Sequence, residues 1–327
     1  MKAIQLTGYK GFESMQLFEV EKPKPAANEV LLEVKAAGVN FAELELTKGR
    51  YRIPKEPPFI MGFEAVGVVV ELGARVKNLK VGDRITSLVS TGGYAEYATA
   101  DATVAIPIPE GISFNGAATI PVQGLSAYTL LKLAAKPQAS ETLLVQSAAG
   151  GVGLYLVQLA KIMGVRKLIA LASSKEKLDV LIGLGADVPI NYTTKQWTDQ
   201  VREATEGKGV DVILESASGE VGDQSFKLLA PFGRIVVFGA RNIHDTISPE
   251  KVQQLIYKNQ SVMGFNVPSF KPEQIAECVP PLLRLISERK VKLFATNLFP
   301  LTEVKRAFEA LESRRTIGKV VLAAWCG

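Results

Sequence analysis

The segment from Val145 to Lys161 reads Val145-Gln-Ser-Ala-Ala-Gly-Gly-Val-Gly-Leu-Tyr-Leu-Val-Gln-Leu-Ala-Lys161. It begins as an apolar strand, passes through a cluster of very small residues and continues with the apolar period of an amphipathic helix. Its positions 148–153 fit a G-x-G-x-x-G frame in which Ala148 replaces the first glycine. The segment therefore predicts a strand, a tight turn and a helix.

Strands and helices alternate in this part of the chain. Apolar, strand-like segments occur at 142–146, 167–172, 210–214 and 234–238, with helical periods between them. This alternation is typical of βαβ units that form a parallel sheet covered on both faces. In that context the turn predicts a dinucleotide-binding site, because a pyrophosphate can approach its bare backbone and the helix N-terminus. Tight packing of the helix on the sheet is the alternative reason for the small residues.

The sequence also indicates which dinucleotide binds. The turn contributes the first predicted cofactor contacts, namely Ala148, Gly150, Gly151, Val152 and Gly153. About twenty residues later, where an NAD-binding fold places a carboxylate for the ribose 2′-hydroxyl, the chain has Ser173. Ser173, Ser174 and Lys177 can instead contact a 2′-phosphate, which favours NADPH over NADH. The alternative is that a serine only caps the next helix and Lys177 is solvated, although capping and phosphate contact are compatible.

The remaining segments flank this region. Short strands separated by Gly and Pro occupy the first 121 residues, at 30–34, 65–71, 81–85 and 94–97, and indicate a β-rich domain. Two helical segments, near 272–289 and 302–313, precede a last strand near 319–322. No internal repeat is present.

Composition limits the classes of function. The 327 residues suffice for two domains, and the net charge of +5 comes from Lys and Arg scattered among acidic residues, so a nucleic-acid partner is disfavoured. No apolar run is long enough for a membrane span, and the N-terminus lacks the apolar core of a signal peptide, so we expect a cytoplasmic protein. With one histidine, His244, and two cysteines, Cys278 and Cys326, the usual catalytic zinc ligands cannot be assembled.

Several segments occur in one order along the chain: Ala37-Gly-Val-Asn-Phe-Ala-Glu43, Gly62-Phe-Glu-Ala-Val-Gly67, Val81-Gly-Asp-Arg84, Gly92-Gly-Tyr-Ala-Glu-Tyr97, Gly124-Leu-Ser-Ala-Tyr128, the turn at 148–153, Leu184-Gly-Ala-Asp187, Ile190-Asn-Tyr192 and Gly318-Lys-Val-Val-Leu322. Together they resemble the medium-chain dehydrogenase/reductases, and specifically the zinc-free quinone oxidoreductases similar to ζ-crystallin. Leu6-Thr-Gly-Tyr9 and Gly264-Phe-Asn266 also resemble the vesicle-membrane-protein-like branch of that superfamily.

The resemblance implies an α/β fold with a GroES-like β-rich catalytic domain and a doubly wound Rossmann domain. The expected boundaries are 1–121 for the GroES-like domain, 122–264 for the NADP-binding domain and 265–327 for a return segment that completes the first domain. Relatives of this kind commonly form homodimers through the Rossmann sheet, so a homodimer is expected here.

The resemblance also implies roles for individual residues. Asn40 and Tyr51 are expected to line the nicotinamide pocket as catalytic residues, although a turn-stabilising Asn and a rim aromatic are the alternatives. The further cofactor contacts implied in this way are Ser126, Tyr192, Phe238, Gly239, Phe265, Val267 and Arg314. For Arg314, a solvated helix end is the alternative.

Zinc-dependent members of the superfamily carry Cys where this chain has Asn40, and Gly-His-Glu where it has Gly62-Phe-Glu64. We therefore expect no metal and a substrate that is already electron-poor, because an unactivated alcohol needs a Lewis acid. The resemblance implies NADPH-dependent electron or hydride transfer to a quinone. Reduction of an enone, enal or enoyl thioester is the alternative within enzymes, and an NADPH-binding structural or interaction protein is the alternative of another class. Glu43 and Glu45, which depart from the family pattern, leave the substrate preference open.

Overall fold

The computed structural model describes residues 1–51, 53–239 and 248–323. His244 and Cys326 lie outside the described residues. The chain divides into two compact units. The first unit joins Met1–Leu125 to the chain from Val279 onward, and the second comprises Ser126–Cys278.

The strands are numbered in chain order: β1 (Lys2–Leu6), β2 (Met15–Glu19), β3 (Glu29–Val39), β4 (Phe59–Ile60), β5 (Glu64–Leu72), β6 (Arg84–Leu88), β7 (Tyr97–Asp101), β8 (Ile106–Pro107), β9 (Thr142–Val145), β10 (Lys167–Ala172), β11 (Val188–Asn191), β12 (Val210–Glu215), β13 (Leu229–Val237), β14 (Ser261–Gly264), β15 (Asn297–Pro300) and β16 (Val320–Ala323).

The α-helices are α1 (Phe41–Thr47), α2 (Phe114–Ala117), α3 (Leu125–Thr129), α4 (Gly151–Ile162), α5 (Lys175–Gly183), α6 (Trp197–Ala204), α7 (Gly219–Phe226), α8 (Pro249–Lys258), α9 (Pro272–Ala276), α10 (Val279–Ser287) and α11 (Val304–Glu312). Two π-helical segments, Ile120–Gly124 and Leu130–Ala135, flank α3. Among the described residues, none of the helices combines the length and apolar character needed to cross a membrane.

The first unit is built on two sheets. The larger has the order β15-β16-β3-β5-β6-β8, with β7 also pairing with β3, and the smaller has the order β2-β1-β4. Strand β16 pairs antiparallel with β3, with Val320 opposite Val39. The core beside this pairing contains Leu6, Leu44 and Phe308, each fully buried. The predicted β-rich domain is confirmed, and the C-terminal strand β16 belongs to its larger sheet.

The second unit is a six-stranded sheet with the order β11-β10-β9-β12-β13-β14. Each neighbouring pair of strands is parallel. The chain first adds strands on one side of β9 and then crosses to the other side, so β9 and β12 form a topological switch point. Leu144, Ile169 and Ile213 are buried in its core, as their apolar strands predict. The predicted doubly wound sheet is confirmed.

The division between the units falls after Leu125 and after Cys278, whereas the sequence placed it after 121 and 264. The residues that follow β14 stay with the second unit. The Phe265 N–H donates to the Val237 carbonyl at 2.8 Å, which continues the contact between β14 and β13 beyond residue 264. This bond joins residues far apart in the chain, so the local pattern that ended at 264 did not predict it.

The structure also moves two predicted strands. The segment 94–97 was predicted as a strand, but β7 begins only at Tyr97 and ends at Asp101. The segment 81–85 was predicted as a strand, but β6 begins only at Arg84. Gly82 has a φ of 93°, and the Asp83 carboxylate accepts a hydrogen bond from the Lys80 backbone N–H at 2.9 Å. Local turn chemistry therefore replaces the first part of the apolar pattern.

Candidate cofactor and acceptor sites

The glycine-rich turn connects β9 to α4. It is held by a hydrogen bond from the Gly150 N–H to the Ser147 carbonyl at 2.9 Å and from the Ala148 N–H to the Leu171 carbonyl at 3.0 Å. A Cβ added to Gly153 would lie 2.4 Å from the Ser147 oxygen and 2.6 Å from the Ala148 oxygen. Close packing of α4 on the turn therefore requires a glycine at 153, which is the alternative reason considered for the small residues.

The tight packing at Gly153 leaves the start of α4 accessible to a ligand. Helix α4 begins at Gly151, so its first N–H groups, which have no partner within a helix, lie at the carboxyl end of β9. A Cβ on Gly150 would meet only the Ser147 oxygen, at 3.2 Å. The turn thus offers an anion a helix N-terminus with little side-chain obstruction.

Other predicted cofactor residues follow the neighbouring strands at the same edge of the sheet. The Tyr192 N–H donates to the Ala172 carbonyl at 3.1 Å, beside the end of β10. The Phe238 N–H donates to the Glu215 carbonyl at 2.9 Å, beside the end of β12. The structure places the following predicted residues at this edge: the turn at 148–153, Ser173, Ser174, Lys177, Tyr192, Phe238, Gly239, Phe265 and Val267. Carboxyl ends at a switch point are where ligands bind in such sheets.

Ser173, Ser174 and Lys177 form one polar cluster after β10. Ser174 caps α5, since its hydroxyl accepts a hydrogen bond from the Lys177 backbone N–H at 3.4 Å. The Lys177 ammonium is 3.4 Å from the Ser173 hydroxyl. Burial lowers the pKa of Lys177. The capping role is therefore real, while the Ser174 hydroxyl hydrogen remains a donor for another group.

Two predicted cofactor residues lie elsewhere. Ser126 is half-buried in α3, the helix between the two π-helical segments. Arg314 is exposed, follows α11 in the first unit and has a φ of 56°. The predicted roles of both side chains stay predictions.

In the first unit, Asn40 belongs to a buried network of charged side chains. Its Oδ1 accepts a hydrogen bond from the Lys319 ammonium at 2.6 Å. Its Nδ2 donates to the Glu64 carboxylate at 2.9 Å and to the Glu43 carboxylate at 3.1 Å. Lys319 is also paired directly with Glu64, and both side chains are fully buried. The two N–H bonds of the Asn40 amide are therefore both used within the protein.

Glu43 adds a second carboxylate to this network. It is fully buried and accepts hydrogen bonds from the Asn40 backbone N–H at 2.8 Å and the Phe63 backbone N–H at 2.9 Å. Burial, with a smaller contribution from the Glu64 charge, raises the pKa of Glu43 to about 7. The Asn40 N–H, the Lys319 charge and the Tyr94 hydroxyl act in the opposite direction.

Tyr51, the other predicted catalytic residue, packs on the same region. Its ring centroid lies 6.1 Å from that of Phe63, and its backbone N–H donates to the Glu45 carbonyl at 3.3 Å. The nearly buried Glu45 carboxylate accepts two hydrogen bonds from Arg50, at 2.6 Å and 3.0 Å. Glu45 therefore fixes the loop that carries Tyr51, which is a structural reason for a residue that departs from the family pattern.

Sequence reasoning missed two residues of this region. Lys319 lies in the segment Gly318–Leu322 that carries the family resemblance, but no role was predicted for it, because its buried partners are distant in the chain. Gln123 lies in the π-helical segment Ile120–Gly124 and was not considered. The Val122 N–H of that segment donates to the second Glu64 oxygen at 3.3 Å, which attaches the segment to the network.

The side chains at the positions where zinc-dependent relatives carry Cys and Gly-His-Glu do not fit a zinc ion. Of Asn40, Phe63 and Glu64, only Glu64 carries a group that zinc commonly binds, and its carboxylate already holds the Lys319 ammonium. Among residues 1–51, 53–239 and 248–323, no three His, Cys, Asp or Glu side chains are grouped so that they could hold a metal ion.

Comparisons with known proteins agree with this organisation. Residues 26–110 match the alcohol dehydrogenase GroES-like domain family, and residues 151–288 match the zinc-binding dehydrogenase family. A quinone oxidoreductase-like protein 2 homolog from Nematostella vectensis is 33% identical, over 97% of this chain and 90% of that protein. A synaptic vesicle membrane protein VAT-1 homolog from Danio rerio is 32% identical, over 98% of this chain and 69% of that protein.

Solved structures show the same similarity. Quinone oxidoreductase from Escherichia coli, in complex with NADPH, superposes with a TM-score of 0.91 at 31% identity, over 99% of this chain and all of that one. The CurK enoyl reductase superposes with a TM-score of 0.88 at 30% identity, over 99% of each chain.

Proposed function

Because the chain belongs to the quinone oxidoreductases of the medium-chain dehydrogenase/reductase superfamily, we propose that it transfers a hydride or electrons from NADPH to a quinone without zinc. The observation that carries this proposal is the Lys319 ammonium, which occupies the Glu64 carboxylate where zinc-dependent relatives have their Gly-His-Glu segment. Without a Lewis acid, a simple alcohol is a poor donor of hydride. A conjugated carbonyl spreads incoming charge over its own atoms and is the better substrate.

NADPH is the proposed cofactor, and it supplies the hydride when it is bound. The turn at 148–153 would receive the pyrophosphate, because α4 begins there. The 2′-phosphate would lie against Ser173 and Lys177, where hydroxyl and ammonium groups lie 3.4 Å apart and an acidic side chain is replaced by serine. A proton completes the reduction, since a quinone that gains a hydride forms the monoanion of a hydroquinone.

The acceptor region is the proposed substrate site around Asn40, Tyr51 and Phe63, and we assign two kinds of role within it. Tyr51, half-buried against Phe63, is the proposed catalytic hydrogen-bond donor to the substrate carbonyl. Asn40 is the proposed positioning residue, because a direct hydrogen bond from its amide to the acceptor would require it to leave Glu43 or Glu64.

The experiment is a comparison of acceptors, followed by the loss of NADPH absorbance. Quinones should support NADPH oxidation. If enals or enoyl thioesters react well and quinones do not, the protein is a reductase of conjugated carbonyls, as similarity to CurK enoyl reductase would favour. If NADPH binds but no acceptor speeds its oxidation, the protein is an NADPH-binding interaction protein.

A homodimer is the proposed assembly. Strand β14 is the last strand of the second unit's sheet, and its Met263 side chain is exposed. The neighbouring helix α8 exposes Ile256 and Tyr257, so an open sheet edge lies beside uncovered apolar surface. Sedimentation of the native protein and of a Met263→Lys variant tests this: a native monomer would exclude the assembly. The expected cytoplasmic location stays a prediction.

A further inference from the structure

Gln123 is a buried side chain with an unused hydrogen-bonding atom. It is 9% exposed, and its Oε1 has no hydrogen-bond partner among the described residues. Such an oxygen costs free energy in a folded protein, and most buried polar groups have a partner. The buried amide oxygen of Gln123 therefore indicates a contact with a ligand.

The position of Gln123 in the fold points to the acceptor region. It lies in the π-helical segment Ile120–Gly124, and π-helical turns occur frequently at functional sites. The residue before it, Val122, donates its backbone N–H to one oxygen of Glu64, and the other oxygen of Glu64 accepts from Asn40 and Lys319. One carboxylate thus fixes both the π-helical segment and the Asn40 network.

The residue that precedes strand β5 also contacts Tyr51. Phe63, which precedes Glu64, contacts the Tyr51 ring, and its N–H donates to Glu43. Consecutive residues 63 and 64 therefore connect Tyr51, Asn40 and the segment that carries Gln123. Of the two amide side chains attached to this network, Asn40 has both N–H bonds engaged, and Gln123 has an oxygen without a donor.

We propose that the Gln123 Oε1 accepts a hydrogen bond from the hydroxyl group that forms on the reduced acceptor. This inference rests on the proposed reductase function. An amide oxygen can only accept, and a quinone offers only carbonyl oxygens, whereas the hydroquinone offers O–H donors. The Gln123 Oε1 therefore interacts with the product form and has nothing to accept from the substrate form.

The test compares two ligands that differ in whether their two ring oxygens carry hydrogen or methyl. Naphthohydroquinone carries the donors, and its dimethyl ether lacks them. Binding of each to the NADP-loaded protein is measured by calorimetry without oxygen, so the readout does not depend on turnover. Gln123→Met keeps a similar shape and removes the acceptor oxygen. It should weaken naphthohydroquinone binding about threefold to tenfold and leave the dimethyl ether and NADPH affinities unchanged.

Gln158→Met is the matched control. Gln158 is also buried, in α4, but its Nε2 donates to the Leu154 carbonyl at 2.9 Å. The control should lower the melting temperature and leave naphthohydroquinone binding unchanged, whereas Gln123→Met should leave the melting temperature unchanged or raise it.

Three results would overturn the proposal. Equal weakening of both ligands would mean that Gln123 contributes only shape, and unchanged binding of both would mean that the oxygen does not contact the ligand. A melting temperature lowered as in the control would mean a structural role. Native protein that turns over no quinone contradicts the proposed function, whereas native turnover with unchanged hydroquinone binding in Gln123→Met contradicts this inference alone.

Discussion

Replacing Lys319 with methionine should destabilise the first unit strongly. Lys319 and Glu64 have no exposed side-chain surface, and Lys319 also donates to the Asn40 oxygen at 2.6 Å. Methionine keeps much of the side-chain volume but leaves the Glu64 carboxylate buried without its cation. Removing one partner of a buried ion pair costs about 3 to 5 kcal/mol, so we expect the free energy of unfolding to fall by that amount near neutral pH.

A double-mutant cycle measured by urea denaturation tests this expectation. Glu64→Gln removes the opposite charge, so the double variant should be more stable than the two separate losses predict, by about 2 kcal/mol or more. Lys80→Met is the control, because the Lys80 side chain is 85% exposed and lies 4.0 Å from Asp83; it should change stability by less than about 1 kcal/mol. A Lys319→Met loss as small as that of the control, or additive losses in the cycle, would refute the reasoning.

Three further predictions follow from the network, the polar cluster and the Tyr51 loop. The pKa of Glu43 rises from 4.5 in the unfolded chain to about 7 in the folded protein, so the free energy of unfolding should fall by about 3 kcal/mol as pH rises through this range and then level off. Urea midpoints measured at several pH values should show this decline, and Glu43→Gln should make the decline smaller. Ser173→Asp should weaken NADPH binding about tenfold or more and leave NADH binding unchanged, because it places a carboxylate against the 2′-phosphate. Fluorescence titration measures both affinities, and Ser287→Asp, at an exposed serine, is the control. Equal effects on both cofactors would contradict the assignment. Glu45→Gln should raise the KM for the acceptor severalfold without changing NADPH affinity, since the loop that carries Tyr51 loses the Glu45 charge that Arg50 binds; an unchanged KM would remove Glu45 from this role.

The sequence was sufficient for the features that local pattern controls. Apolar strands at 142–145 and 167–172, and the glycine turn between β9 and α4, follow from periodicity and small side chains, and the structure has them. Ser173 and Lys177 were predicted because a fixed spacing after the turn defines where the ribose lies, and their cofactor role stays a prediction. The strand predicted at 81–85 failed because turn chemistry at Gly82 and Asp83 outweighs a short apolar pattern.

Features that depend on contacts between residues far apart in the chain could not be predicted from the sequence. Lys319 meets Glu64 and Asn40 across 255 and 279 positions of the chain, so neither its burial nor its partners has a local signature. The π-helical segment around Gln123 has no periodicity that would separate it from an α-helix. Asn40 was predicted to line the nicotinamide pocket, but its amide could be assigned to internal hydrogen bonds only when Glu43, Glu64 and Lys319 were seen together.

Steady-state oxidation of NADPH by metal-free protein tests the central claim most directly. The protein would be purified in the presence of a chelator, its zinc content measured by elemental analysis, and its activity assayed with a quinone and, in the reverse direction, with NADP and a secondary alcohol. We predict quinone-dependent NADPH oxidation without bound zinc, unchanged by the chelator, and no detectable alcohol oxidation. One tightly held zinc per chain whose removal abolishes activity, or metal-free alcohol oxidation that exceeds quinone reduction, would contradict the account.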